Sequence, residues 1–345
     1  MARISTIFTI GVAILACGTV AAQQTAANSY TQTNLASDVA GMALTVDPYL
    51  VNPWGTTRNS GARAGGGWYT SDNGTGTVTD ISGYEGYGGY YLTVPSAEGA
   101  GAGSPAGACI FGQIQTFTTL DGTIQENGEG NATTIVVNNS GAGAVYTACT
   151  ETRSPSGPPY YDTLYVANSV GGVEAYTWLN NVLSPVSLPP GAFTDPSVPA
   201  GYTPYGIQAA AGRIWVTFAN GTAGAGQGYV DAFDSNGNLL LRLQHGSWMN
   251  QPYGVVQAPA SGFGPFSKAL LVAMTGSGVI AAFNPSTGTF AGILKDSSGQ
   301  PIVNPGIHAI GFGNGAYSGG PTTTLYFTAG IDNFTHGLFG SITAN

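Results

Sequence analysis

One tripeptide returns along this chain at a spacing that few folds can use. Pro-x-Gly occurs as Pro53-Trp54-Gly55, Pro105-Ala106-Gly107, Pro204-Tyr205-Gly206 and Pro252-Tyr253-Gly254, each ahead of a short apolar run. Degenerate copies stand at Tyr146-Thr147-Ala148 and Ile307-His308-Ala309. Their third positions lie 52, 41, 58, 48 and 55 residues apart. A period near 50 is that of propeller blades.

A second marker follows each copy. It is a strand rich in aromatic and β-branched residues, as at Trp68-Tyr69-Thr70, Ile214-Trp215-Val216 and Leu325-Tyr326-Phe327. A turn comes next, then a strand opening on Gly, as at Gly76-Thr77-Val78 and Gly228-Tyr229-Val230. Fourth strands are visible at 90–94, 135–137, 239–243 and 290–294. Six units of about four strands predict an all-β, six-bladed propeller. The last unit stops at Gly340-Ser341-Ile342 without a fourth strand, and the segment Tyr30 to Leu35 is an orphan. Pairing the two closes the ring and removes an open sheet edge.

The composition agrees. Only 7% of residues are charged and 54 are Gly, which excludes a helical protein, whose exposed faces need charge. Meander turns account for Asp72-Asn73-Gly74, Asn220-Gly221 and Asn236-Gly237. Long Gly, Ala, Ser and Pro stretches at 95–107, 151–161 and 185–203 read as loops decorating one face. Eight basic residues against 17 acidic ones make nucleic acid and anionic lipid poor partners.

Arg3, the apolar run Ile7 to Ala16 and Val20-Ala21-Ala22 form a secretory leader over residues 1–22. Cys17 lacks the small-residue box of a lipidation signal. One propeller domain follows over 23–345, with no further apolar stretch long enough to span a bilayer. The chain is therefore expected outside the cell or in the periplasm, as a monomer. In that compartment Cys109 and Cys149 read as one disulfide joining the inner strands of blades 2 and 3.

The order Tyr30-Thr31-Gln32-Thr33-Asn34-Leu35, Asp47-Pro48-Tyr49-Leu50-Val51-Asn52-Pro53-Trp54-Gly55 and Ser71-Asp72-Asn73-Gly74-Thr75-Gly76 resembles an uncharacterised family of secreted bacterial propellers. So do Gly191-Ala192-Phe193-Thr194-Asp195-Pro196 and His336-Gly337-Leu338-Phe339-Gly340. The blades are similar to NHL repeats. NHL-like propellers include sugar lactonases, strictosidine-synthase-like proteins and non-enzymatic recognition domains, so the resemblance implies the fold and leaves the activity open.

The x residues of the motif should ring the central channel. Trp54, Tyr205, Tyr253 and His308, with Asn52 and Gln251 just ahead of two of the prolines, are the candidate ligand-binding residues. Three aromatics and an imidazole suit stacking on a sugar or flat ligand; equally, they can pack against each other and seal the channel. Lactonase-type propellers hold a central metal on Glu or Asp, Asn and Asp. That resemblance puts Asp72, Asn168 and Asp332 forward as ligands for a calcium-type cation, although Asp and Asn are also common turn formers. No Gly-x-Ser-x-Gly elbow occurs. The Asn-x-Thr matches at 73–75, 131–133, 220–222 and 333–335 are expected by chance in a Thr/Asn-rich chain. Two readings follow. One is a secreted binding module for an extracellular small molecule, glycan or protein, with no established cofactor. The other is a calcium-type, lactonase-like hydrolase using the channel.

Overall fold

The computed structural model describes Met1 and residues 27–58, 67–86, 88–128, 130–152 and 162–345. Apart from Met1, the leader expected over residues 1–22 lies outside them. Six antiparallel sheets stand in a ring, each inner strand touching the next. Blade 1 comprises Pro53–Arg58, Trp68–Asp72, Thr77–Ile81 and Gly88–Thr93, from the channel outward. Blade 2 comprises Pro105–Phe111, Ile114–Thr119, Thr123–Asn127 and Thr133–Asn138. Blade 3 comprises Tyr146–Thr152, Thr163–Asn168, Gly172–Leu179 and Val182–Val186. Blade 4 comprises Thr203–Ala210, Arg213–Ala219, Tyr229–Phe233 and Leu239–Arg242. Blade 5 comprises Pro252–Gln257, Leu270–Met274, Val279–Phe283 and Phe290–Ile293.

Blade 6 is built from both ends of the chain. Ile307–Phe312, Leu325–Ala329 and Leu338–Ala344 supply three strands, and Tyr30–Ser37 supplies the fourth. Tyr30 lies opposite Ala344 and Ser37 opposite Leu338, with a bulge between Asn34 and Ala36. The closure predicted for the N-terminal strand is present. A two-residue strand, Thr45–Val46, adds in parallel outside it. Among the described residues no helix is long and apolar enough to cross a membrane.

The three expected loops need correcting at their ends. Residues 105–107 open the inner strand of blade 2, 151–152 end that of blade 3 (153–161 lie outside the described residues), Thr203 opens that of blade 4, and 185–186 complete the outer strand Val182–Val186 of blade 3. Pro185 hides that strand in the sequence; an outer strand tolerates proline because one of its backbone edges is unpaired.

The repeated tripeptide has a structural meaning that spacing alone does not disclose. In all six blades the inner strand slips register against its second strand at the motif, from Pro53/Thr56 in blade 1 to Ile307/Ile310 in blade 6. A bulge re-aims the side chain at its centre. Second-strand hydroxyls latch two of these bulges: Gly206 N donates to Thr217 Oγ1 (2.8 Å) and Ala309 N to Thr328 Oγ1 (3.0 Å).

Cys109 and Cys149 form a disulfide between neighbouring inner strands, with their Cα atoms 5.8 Å apart. Their sequence separation of 40 closes a long loop in the unfolded chain. Replacing both by Ser is expected to cost about 3 kcal/mol. A melting temperature equal to that of the parent would show that blades 2 and 3 hold together without the bond.

Candidate functional site at the channel mouth

The bulges turn the x residues toward the axis, where the four large ones interlock. Trp54 stacks on the His308 imidazole at 4.5 Å and 17°. Tyr205 and Tyr253 meet the indole edge-on at 5.7 and 5.9 Å, and each other at 5.0 Å. Tyr205 Oη lies 3.3 Å from His308 Nε2. Tyr253 Oη donates across the channel to the carbonyl of Thr147, at 2.8 Å. The smaller x residues, Ala106 and Thr147, belong to blades 2 and 3. Below this plug the channel is narrow, with a cavity of about 30 Å³ between inner-strand glycines and alanines, room for little more than water. The channel is thus closed at its mouth by its own side chains.

The plug is not uniform in exposure. His308 and Tyr253 are buried, while Trp54 and Tyr205 are half-buried and form the floor of the face above. Burial holds the His308 imidazole neutral by pushing its pKa down to about 3. Burial likewise pushes the Tyr205 and Tyr253 phenols upward. The plug therefore carries no charge near neutral pH.

Asn52 and Gln251 stand one residue ahead of the proline in blades 1 and 5, both in the left-handed region at φ +48° and +52°. Non-glycine residues seldom adopt it, and the following proline restricts them further. Their side chains do different things. The Gln251 amide accepts from Gly221 N (3.0 Å) and donates to Asn220 Oδ1 (3.0 Å) and the Thr222 carbonyl (2.7 Å), so it holds the 220–222 loop. Asn52 makes one long contact, Nδ2 to Asn73 Oδ1 at 3.4 Å, and its buried Oδ1 has no hydrogen bond. The indole Nε1 of Trp54 is also buried without a hydrogen bond.

Sequence reasoning missed the residue that overhangs this floor. Asp332, Asn333 and Phe334 are three consecutive left-handed residues, at φ +50°, +56° and +67°. L-residues visit this conformation singly, and a bulky one is an outlier there. The turn sets the Phe334 ring 5.8 Å from His308 and leaves the residue 46% exposed. The sequence signals here are the Asn-x-Thr match at 333–335 and the metal-ligand candidate Asp332, and neither points to Phe334.

Asp72 and Asn168 end second strands on the same face, and Asp332 follows another. Asn168 is fully used: its Oδ1 accepts from Val145 N and Val170 N, and its Nδ2 donates to Glu174 Oε1. Asp332 is exposed. Asp72 is completely buried beside Thr77 and Thr79, and burial pushes its carboxyl well above the usual range, toward the neutral form. Among the described residues no three His, Cys, Asp or Glu side chains gather in a way that would hold a metal ion.

No protein-family model matches the chain. An uncharacterised protein of Acanthamoeba polyphaga mimivirus is 25% identical over 338 residues, covering 89% of this chain and 78% of the relative. Two more uncharacterised proteins of the same virus are 33% identical over 124 and 118 residues, 34% of this chain and 23% and 29% of theirs. None of the three is bacterial. Among solved structures, one titled glucose dehydrogenase superposes with a TM-score of 0.53 at 10% identity, covering 91% of this chain and all of that one. The Dos1 propeller gives 0.44 at 7% identity, covering 80% and 74%. At these identities the likeness is one of fold.

Proposed function

We propose that this chain is a non-catalytic recognition module, acting outside the cell, that holds a ring-bearing ligand on the face above the channel mouth. One observation carries the reading. Strained backbone and unpaired polar atoms concentrate around Trp54: Asn52, Gln251 and Asp332 to Phe334 are all left-handed, and Asn52 Oδ1 and Trp54 Nε1 lack hydrogen bonds. Such strain persists where the surroundings enforce it, commonly at binding sites. The half-buried indole and the exposed Phe334 give a sugar or other flat ring two apolar surfaces. The disulfide supports an oxidising compartment.

The test is saturation-transfer NMR with a panel of neutral mono- and oligosaccharides. A binder is expected to lose at least tenfold in affinity with Phe334→Ala, about the 1.4 kcal/mol that one aromatic contact contributes. Phe334 is exposed, so the fold should survive the change. A ligand bound equally well by Phe334→Ala and Asn52→Ala would move the site off this face.

A further inference from the structure

A second cleft lies at the rim of blade 1, away from the channel. It has a volume of about 180 Å³ and runs between the segment 46–49 and the outer strand Gly88–Thr93. Tyr49 and Tyr91 stack at 4.0 Å along it, and Tyr90 and Tyr91 are 39% and 37% exposed. Tyr90 and Tyr91 are neighbours on one strand and so face opposite sides of the sheet: Tyr91 stacks on Tyr49 over the cleft, and Tyr90 turns toward blade 2. The Tyr90 hydroxyl is pinned to the Gly130 carbonyl at 2.8 Å, which fixes its ring. Gly88 keeps the cleft open: a Cβ there would stand 2.8 Å from the Asp80 carbonyl oxygen and 3.1 Å from Asp47 Oδ2.

The floor is polar. Asp47 is 6% exposed, and its Oδ1 accepts from Tyr49 N at 3.0 Å. Thr79 is 1% exposed, and its hydroxyl makes no hydrogen bond of standard geometry. No Lys or Arg lines the cleft. Asp38, near Asp47, pairs with His336 at 2.7 Å, and Asp72 is driven toward its neutral form, so what disfavours an anionic sugar is the want of a cationic side chain on the cleft wall. Thr45 Oγ1 donates to the Glu85 carbonyl at 2.9 Å, tying this segment to the turn where Tyr84 stacks on Tyr317 at 5.8 Å. Tyr84 and Tyr317 are 48% and 76% exposed.

We propose that this rim binds a neutral polysaccharide, with one sugar ring seated in the cleft against Tyr91. The class follows from the chemistry. Pyranose C–H faces pack on tyrosine rings, sugar hydroxyls need an acceptor such as the Asp47 carboxyl, and no lining Lys or Arg is there to hold a uronate. The cleft is smaller than a drug-sized pocket, which suits one unit of a longer chain. This site is independent of the channel mouth.

Native electrophoresis in gels containing dextran, hydroxyethyl cellulose, glucomannan or laminarin tests it, with polygalacturonate as the anionic comparison. The protein is expected to be retarded in at least one neutral gel and not by polygalacturonate. Tyr91→Ala should weaken that retardation at least tenfold while melting like the parent, because its ring is at the surface. Val170→Ser, on an exposed residue of another blade, should change nothing. Free migration in every neutral gel overturns the proposal, and so does retardation by polygalacturonate alone. Retardation kept by a folded Tyr91→Ala but lost with Phe334→Ala would assign the sugar to the channel mouth and overturn the second site. A protein ligand captured by the parent, lost with Tyr91→Ala and unaccompanied by any polysaccharide binding would overturn the sugar assignment.

Discussion

A chain shortened to begin at Gly41 is expected to yield no stable monomer, whereas one beginning at Gln23 folds. The difference is the strand Tyr30–Ser37, which makes blade 6 whole. Tyr30, Leu35, Ala36 and Ser37 are at most 3% exposed. Tyr30 packs on Phe263 at 4.9 Å and donates its hydroxyl to the Phe263 carbonyl at 3.1 Å, so this strand also reaches blade 5. Gln32 and Asn304 exchange amide hydrogen bonds at 2.9 and 2.8 Å. Ser37 Oγ donates to the Gly337 carbonyl at 2.6 Å. Burying Tyr30 and Leu35 contributes roughly 1.5–3 kcal/mol each, and each net hydrogen bond about 1 kcal/mol. The loss is therefore about 5 kcal/mol or more, comparable with the whole stability of an ordinary domain. It also bares the edge of Leu338–Ala344, a template for association. Gel filtration and calorimetry of the two chains decide the matter: a monomer that melts with the longer chain would show that the closing strand is ornamental.

How much of this was legible before the structure depends on whether a feature is local. The motif spacing counted the blades because each blade repeats the same local problem, a chain entering the channel wall. The missing last strand and the orphan Tyr30 to Leu35 segment are likewise readable as a count. Cysteines two and one residues after equivalent motif positions gave the disulfide. The plug was half legible. Equivalent x positions had to converge, but whether Trp54 faces a ligand or the His308 ring depends on bulge geometry, which is set by hydrogen bonds to second-strand hydroxyls. The left-handed turn at Asp332 to Phe334 was not legible at all, since nothing in Ile-Asp-Asn-Phe demands positive φ. The rim cleft was invisible for another reason. Tyr90 and Tyr91 read as ordinary strand formers, and their exposure depends on the segment 46–49 lying beside them.

Gly206→Val is expected to prevent folding, although its φ is one any residue can adopt. The obstacle lies across the blade boundary. A Cβ on Gly206 would sit 2.2 Å from the Tyr253 carbonyl oxygen, 2.9 Å from its carbonyl carbon and 2.8 Å from Thr217 Oγ1. The same contact recurs around the ring: Gly55 meets the Ala108 amide nitrogen at 2.4 Å, Gly107 the Ala148 Cα at 2.7 Å, and Gly254 the His308 carbonyl oxygen at 2.5 Å. The motif keeps its glycine because two inner strands approach backbone to backbone. An oversized side chain in a core usually costs 1–3 kcal/mol because neighbouring side chains can shift. Here the neighbour is the main chain of the next bulge, which also carries Tyr253 into the plug. Separating the blades would break the Tyr205–Tyr253 and Tyr253–His308 contacts together, so the expected cost is about 5 kcal/mol or more, at the diagnostic end of single substitutions. Gly141→Ala is the control: nothing lies within 4 Å of its Cβ, and the change should be neutral or slightly stabilising. If Gly206→Val melts within a few degrees of the parent, the glycine is not what sets the spacing of the inner strands, and the repeated motif would then owe its form to the proline and the bulge alone.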